Sequence, residues 1–235
     1  MRPLAILIAG EPVAAALAAR GSFGRMIREA VGDAWPGAWE EVDARAELPD
    51  FERFSGMIIS GSAANVPTRE PWIVRVERYL ARAVASGLPI FGICFGHQLL
   101  GQALGGEVRK NPRGREIGTV LLQVLAEDAL LPASPREFAV NMTHVDSVLT
   151  LPPGARVLAR TARDENAVIH FGGRAWGVQF HPEMDGEIVS HYLAARSVTM
   201  QSEGLDAQAA LRDARDTPES QALLRRFVAL QIAAL

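Results

Sequence analysis

Cysteine is almost absent from this chain of 235 residues, which contains only Cys94. A single cysteine cannot form an internal disulfide, so its thiol serves either packing or chemistry. Long apolar runs are also missing, and none approaches the roughly 20 residues that a membrane-spanning helix needs. Residues 1–10 lack a small-residue cleavage site and are better interpreted as a first strand than as a secretory leader. We therefore expect a cytoplasmic protein with no membrane partner.

Charge of one sign is not in excess either. The formal net charge is −3, and the basic residues are dispersed along the chain, so there is no basic patch for nucleic acid or an anionic membrane surface. No second cysteine or spaced histidine pair completes a tetrahedral zinc site, and no G-x-x-x-x-G-K-[ST] motif is present. We accordingly expect no metal, no cofactor and no nucleic-acid partner.

The first half of the chain alternates short apolar runs with amphipathic segments. Runs at residues 4–9, 39–44, 56–60 and 89–93 are typical of buried parallel strands, while residues 22–31 and 71–86 have helical periodicity. After residue 106 the pattern changes to short strands at 119–124, 137–142, 156–161, 167–171 and 174–180, with Gly172-Gly173 as a hairpin turn. The expected fold class is α/β, a doubly wound and mostly parallel sheet flanked by helices, with a smaller antiparallel or mixed extension in the second half.

Cys94 lies where the fourth apolar run meets a helical segment. Gly92-Ile-Cys94-Phe-Gly96 matches a G-x-C-x-G form of the nucleophile elbow, in which a sharp strand-to-helix turn pushes the central side chain above the sheet edge. The start of the following helix favours a thiolate and offers backbone donors to a developing oxyanion. A buried cysteine is more often an inert small hydrophobe, so the elbow alone leaves packing and catalysis about equally supported.

A cysteine nucleophile needs a base and a group that orients the base. Of the five histidines, His181 stands out because it follows an apolar strand and precedes Pro182 and Glu183. Residues two apart at a strand end share a side, so the Glu183 carboxylate can approach the imidazole. We therefore predict a triad of Cys94, His181 and Glu183. His97, His170 and His191 are interpreted as packing or surface residues.

Together these motifs resemble those of a class I glutamine amidotransferase domain, such as the glutaminase domain of GMP synthase, over roughly residues 4–195. The resemblance implies a flavodoxin-like fold and hydrolysis of the γ-carboxamide of glutamine through a thioester on Cys94, with ammonia as product. It also implies substrate binding by Gln98 and by the segment His144-Val145-Asp146, which resembles a Ser-His-x-Asp-x-Val motif. The oxyanion donors that it implies are the backbone amides of Gly61 or Ser62 and of Phe95.

Two departures from the family pattern leave alternatives open. Many members have Gly-Gly-Pro after the third strand, where this chain has Ser60-Gly61-Ser62-Ala63. The chain also has no segment that would form an ATP-binding or acceptor domain. Two alternatives follow for the fate of the product. Either a separate synthetase subunit uses the ammonia, or the protein acts alone on γ-glutamyl peptides or amides. A cysteine peptidase-like hydrolase and a catalytically silent regulatory subunit are the remaining alternatives.

The domain division expected from the sequence is an amidotransferase-like domain over residues 1–195 and a helical extension over residues 196–235 packed on it. Within that extension, Thr217-Pro218 predicts the start of a final helix.

Overall fold

The computed structural model describes residues 1–131 and 135–232 of the chain. The strands within them are β1 (Leu4–Ile8), β2 (Trp39–Asp43), β3 (Gly56–Ile59), β4 (Ile90–Ile93), β5 (Glu107–Lys110), β6 (Glu116–Val124), β7 (Glu137–His144), β8 (Asp146–Thr150), β9 (Arg156–Arg160), β10 (Val168–Gly172) and β11 (Ala175–Val178). The α-helices are α1 (Ala14–Arg20), α2 (Phe23–Val31), α3 (Pro71–Ala85), α4 (Phe95–Ala103), α5 (Gly186–Ser202), α6 (Ala207–Asp213) and α7 (Pro218–Gln231).

The described strands form one large and one small sheet. The large sheet has the order β2-β1-β3-β4-β11-β10-β9-β6-β7, and β5 pairs with β8 in the small one. Neighbours from β2 to β11 are parallel, whereas pairing from β11 to β7 is antiparallel. The predicted fold class, a mostly parallel sheet with an antiparallel extension, is confirmed.

Helices cover both faces of the parallel strands. On one face, α2 and α7 contribute Ile27, Leu224 and Phe227 to a core that includes Phe91 of β4. On the other face, α3 and α4 pack their apolar residues against the alternate side chains of β1 and β3. Both faces are thus buried, which explains why these strands are continuous apolar runs in the sequence. Within the described residues, no helix has both the length and the apolarity of a membrane span.

The described structure contains elements that the sequence did not predict. It also differs from the expected capping of the final helix at Thr217. The strands β5 and β8 and the helices α1 and α6 have no counterpart in the prediction. Ser22, at the start of the segment predicted to be helical, caps α2 by accepting a hydrogen bond from the Arg25 amide. Thr217 precedes α7, but its side chain caps no backbone amide and instead lies 2.8 Å from the Ser220 hydroxyl. The predicted domain division at residue 195 falls inside α5, and it stays a prediction.

The feature of the fold that shapes the site is the junction of β4 and α4. Glycine is required on both sides of Cys94, because strand and helix approach closely there. A Cβ on Gly92 would lie 2.5 Å from the backbone carbonyl of Gly96, and a Cβ on Gly96 would lie 2.6 Å from the Ile59 carbonyl oxygen. Both contacts involve backbone, so no side-chain rotation could relieve them.

We predict that Gly92→Ala lowers the free energy of unfolding by about 3 kcal/mol, since the added methyl group forces β4 and α4 apart. The matched control is Gly154→Ala in a turn, where nothing lies within 4 Å of the added Cβ and only the φ of 79° disfavours alanine. The control substitution should lower the free energy of unfolding by about 1 kcal/mol. Urea unfolding of both variants measures the difference, and equal losses would show that the junction is not tightly packed.

Candidate active site

Cys94 occupies the turn between β4 and α4 with a backbone that non-glycine residues rarely adopt. Its φ is 49° and its ψ is −101°, and its amide donates a hydrogen bond of 2.8 Å to the Val178 carbonyl at the end of β11. Such strain persists only where the surroundings impose it, and it is common at reactive positions. The side chain is 5% exposed, and Sγ lies 3.9 Å from the Thr143 carbonyl oxygen of β7. The predicted elbow is therefore present in the structure.

His181 and Glu183 lie in the turn that follows β11 rather than on a strand end. The Met184 amide donates to the His181 carbonyl across this turn, and the His181 amide donates to the Asn141 carbonyl of β7 at 2.9 Å. Nδ1 of His181 is 2.7 Å from Oε1 of Glu183, and both side chains are almost fully buried. The turn thus brings the carboxylate to the imidazole, the same contact that alternation along a strand had predicted.

Two aromatic rings hold the imidazole in place. The Phe23 ring stacks on it at 6.2 Å between centroids, and the Tyr192 ring packs at 6.4 Å on it with a tilt of 33°. Gly61 also lies against it, since a Cβ there would be 2.8 Å from Cε1 of His181. With Nδ1 bound to Glu183, the other nitrogen, Nε2, is buried and has no hydrogen-bond partner among the described residues.

Opposing effects act on the pKa of His181. Burial by itself would lower the pKa, but the charges of Glu183 and Cys94 and the hydrogen bond that Nδ1 donates to Glu183 outweigh burial and raise the pKa to about 10. At neutral pH the ring is therefore an imidazolium held by the Glu183 carboxylate. Cys94 and His181 both line the smaller of two cavities at this site, so the two side chains border one space.

A chain of side-chain amides ends at the cysteine sulfur. Nε2 of Gln98 donates to the Asp146 carbonyl at 2.7 Å and to Oε1 of Gln179 at 3.1 Å. Nε2 of Gln179 in turn donates to Sγ of Cys94 at 3.5 Å. Gln179 is fully buried, so this donor is fixed in a region that excludes water. Such a donor favours the charged form of its acceptor.

Two adjoining cavities open above Cys94, and both are lined by Ser62, Ala63, Cys94, Thr143 and Arg196. The larger cavity has a volume of about 240 Å³. Its lining also includes the residues predicted from the sequence around the elbow and after β7, namely Phe95, Gln98, His144, Val145 and Asp146. The smaller cavity, of about 50 Å³, extends toward His181.

Backbone amides at the predicted oxyanion positions are available. The Phe95 amide is the first of α4, and no acceptor in the described part of the chain bonds to it. The same holds for the amides of Gly61 and Ser62. Ser62 fixes its own loop, because its hydroxyl donates to the Ala9 carbonyl at 2.9 Å. Ser62 and Phe95 line the larger cavity with Cys94, whereas Gly61 lies behind them against His181.

The His144 side chain belongs to a buried polar network beneath the larger cavity. Its Nδ1 lies 3.0 Å from the Asp146 carbonyl, and its Nε2 lies 3.3 Å from Oε2 of Glu116. Thr161 donates to the same Glu116 oxygen at 2.8 Å. Burial raises the pKa of the Asp146 carboxyl, and the charges of His144 and Lys110 partly offset this effect. The network fixes the backbone of residues 144–146, which line the larger cavity.

Other histidines lie outside this constellation. His97 is completely buried against Phe171, and burial lowers its pKa to about 4. The His170 ring stacks on Trp176 at 4.5 Å. Over residues 1–131 and 135–232, no three His, Cys, Asp or Glu side chains are placed to share a metal ion.

The described structure thus brings the predicted Cys94, His181 and Glu183 to one place, with Ser62, Phe95 and Gln98 around them. Sequence reasoning missed Gln179 and Arg196. Gln179 could have been noticed as the one polar residue in the apolar run 175–180. Arg196 carries no such signal, because only the packing of α5 brings it above the cysteine.

Known proteins resemble this chain in sequence. The family model "Glutamine amidotransferase class-I" matches residues 38–199. A glutamine-hydrolyzing GMP synthase of Aeropyrum pernix is 41% identical over 143 residues, 61% of this chain and 26% of that protein, so the chain spans about a quarter of this relative. Gamma-glutamyl peptidase 5 of Arabidopsis thaliana is 31% identical over 146 residues, 60% of this chain and 58% of that protein.

Among solved structures, a glutamine amidotransferase of Thermotoga maritima superposes with a TM-score of 0.76 over 99% of both chains. Its sequence identity of 20% supports the shared fold alone. Because the family model spans well over half of the chain and includes both the elbow and the His-Pro-Glu segment, this chain belongs to the class I glutamine amidotransferase family.

Proposed function

We propose that this chain is a cysteine-dependent glutaminase, which hydrolyses the γ-carboxamide of glutamine to glutamate and ammonia. The observation that carries the proposal is the convergence of a strained, buried thiol with a histidine that is itself held by a buried carboxylate. A catalytically silent regulatory subunit would have no need to keep these three groups together, or to bury the His181–Glu183 pair at a cost in desolvation.

In the first step, the Cys94 thiolate attacks the γ-carbonyl carbon of glutamine and a bond forms between sulfur and carbon. The carbonyl oxygen becomes an oxyanion, for which the unbonded amides of Phe95 and of Ser62 or Gly61 are the available donors. The carbon–nitrogen bond then breaks, and the His181 imidazolium gives its proton to the departing amine. Ammonia leaves, and a γ-glutamyl thioester remains on Cys94.

In the second step, the now neutral His181 accepts a proton from a water molecule as the water attacks the thioester carbonyl. The carbon–sulfur bond breaks, glutamate leaves and the thiolate–imidazolium pair returns. Throughout the cycle Glu183 keeps Nδ1 protonated and holds the ring in one orientation, so Nε2 is the nitrogen that exchanges protons.

The glutamyl end of the substrate is proposed to occupy the larger cavity. Val145 and Asp146 line it, and their backbone would bind the α-amino and α-carboxylate groups. Both N–H groups of the Gln98 amide are engaged, with Asp146 and Gln179, so Gln98 would contact substrate through its carbonyl oxygen. The likeness to GMP synthase suggests that a separate synthetase subunit receives the ammonia.

A second candidate function is hydrolysis of γ-glutamyl peptides or amides by the same chemistry. The smaller cavity beside His181 favours it, because ammonia alone needs no such space. The similarity to a gamma-glutamyl peptidase supports the same candidate.

We predict that Cys94→Ala reduces ammonia release from glutamine by at least about 1000-fold, because no other residue can form the thioester. A coupled assay with glutamate dehydrogenase measures the ammonia. The variant should also resist a glutamine-derived chloroketone, which should add once to the wild-type protein. Unchanged glutamine hydrolysis by a folded Cys94→Ala protein would rule out the proposed nucleophile.

The pH dependence of kcat/KM tests the role of Glu183. The first step needs the imidazolium, which is lost as pH rises through the His181 pKa of about 10, so wild-type activity should fall on the alkaline side near that pH. In Glu183→Gln, the negative charge that holds the proton is gone while burial remains, so the alkaline limb should move to lower pH. A limb that stays in place would show that Glu183 does not control this proton.

The donor from Gln179 should stabilise the thiolate. We predict that Gln179→Leu slows alkylation of Cys94 by iodoacetamide at neutral pH and lowers kcat/KM by about 10- to 100-fold, as expected when a hydrogen bond to a charged group is lost. The control is Gln201→Leu on the exposed side of α5, which should change neither rate. Equal alkylation rates in the wild type and Gln179→Leu would exclude this role.

A further inference from the structure

The two cavities above Cys94 differ in which catalytic group they reach. The lining of the larger cavity contains the residues proposed to bind the glutamyl group, whereas His181 lines the smaller cavity and not the larger. Because His181 must protonate the departing nitrogen, that nitrogen has to lie on the His181 side of the thiol. Any substituent on the nitrogen therefore extends into the smaller cavity or toward its mouth.

The smaller cavity is larger than ammonia requires. Its volume is about 50 Å³, whereas a cavity of about 10–15 Å³ already holds one water molecule. Phe23 and Tyr192, whose rings pack against the His181 ring, form an apolar part of the wall of the smaller cavity. A departing group of several heavy atoms can therefore be accommodated next to the proton donor.

Arg196 of α5 lines the cavity that would hold such a group. It lines both cavities and is half-buried, and within residues 1–131 and 135–232 its guanidinium forms no ion pair or side-chain hydrogen bond. The neighbouring cation, Arg115, differs in this respect. Its Nε and Nη2 donate to the two carboxylate oxygens of Glu203 at 2.8 and 3.2 Å, so its charge is already balanced.

The acidic residues in and near the two cavities do not neutralise Arg196. Glu183 lines neither cavity and is bound to His181, and Asp146 lines only the larger cavity. Glu11 lines the smaller cavity but is exposed, and it lies outside ion-pair distance of Arg196. An unpaired guanidinium in the lining of a partly apolar cavity is a typical carboxylate-binding group, because its planar donors match the two oxygens of a carboxylate.

We propose that Arg196 is a specificity-determining residue that binds a carboxylate on the departing amine, so that the second candidate reaction prefers γ-glutamyl amino acids or short γ-glutamyl peptides with a free carboxylate over γ-glutamyl amides without one. This inference rests on the proposed cysteine-dependent hydrolysis. The chemical steps are unchanged: sulfur replaces nitrogen on the γ-carbonyl carbon, His181 protonates the departing amine, and the amino acid or peptide leaves in place of ammonia.

The test compares two substrates that differ in one charge, γ-glutamylglycine and γ-glutamylglycinamide. We expect wild-type kcat/KM to favour the acid over the amide, and Arg196→Gln to reduce that ratio by about 10- to 100-fold, the effect of losing a charge-assisted hydrogen bond. Arg196→Lys keeps the charge and should recover part of the ratio. Arg109→Gln removes one exposed positive charge from a residue that lines neither cavity and should leave the ratio unchanged.

Each result decides between the alternatives. An unchanged ratio in Arg196→Gln would overturn the inference, and so would an equal loss with both substrates, which would place Arg196 at the glutamyl end. Melting temperatures of the variants identify any general loss of folding, and a ratio measured on the folded fraction is insensitive to it. If the wild-type protein hydrolyses neither these substrates nor glutamine, the proposed function itself fails and the inference with it.

Discussion

The close approach of β4 to α4 around Cys94 is the constraint on which the site depends. Glycines at 92 and 96 let strand and helix approach more closely than any side chain would allow, and the turn between them forces a positive φ on Cys94. This geometry lifts the thiol above the sheet edge while the Cys94 amide stays bonded to the end of β11. Because β11 leads into the His181 turn, the same hydrogen bond aligns the two halves of the site.

Burial and charge then work together in this site. The His181–Glu183 pair is removed from water, which costs desolvation energy, but the buried carboxylate still keeps the imidazole protonated. Gln179 supplies a fixed hydrogen-bond donor to the sulfur. Gln179 and His181 both come from one short segment, residues 179–181. Such preorganised groups need little rearrangement when charge develops during a reaction.

Much of this arrangement is encoded locally and could be predicted from the sequence. The parallel strands are continuous apolar runs, the elbow has glycines at fixed spacing, and Glu183 lies two residues from His181. The small sheet was missed because β5 has one buried apolar residue, Val108, and acquires its pairing from a strand about forty residues later. The helix α1 was missed because no side chain caps its N-terminus.

Other parts of the site depend on tertiary contacts that no short segment encodes. Gln98 and Gln179 are 81 residues apart and become neighbours only when β4 pairs with β11. Arg196 reaches the cavities only because α5 packs on the domain through Ile188, Tyr192, Leu193 and Met200. Because these contacts form only in the folded chain, the sequence predicted the residues of the proposed triad but not Gln179 or Arg196.

The central claim is that Cys94 carries the γ-glutamyl group during turnover. The most direct measurement is acid quenching of the wild-type protein during glutamine hydrolysis, followed by mass spectrometry of the intact chain and of its peptides. The account predicts a mass increase of one γ-glutamyl group, located on the peptide that contains Cys94 and removed by hydroxylamine. Turnover with no adduct under conditions that trap thioesters, or an adduct on any other residue, would contradict it.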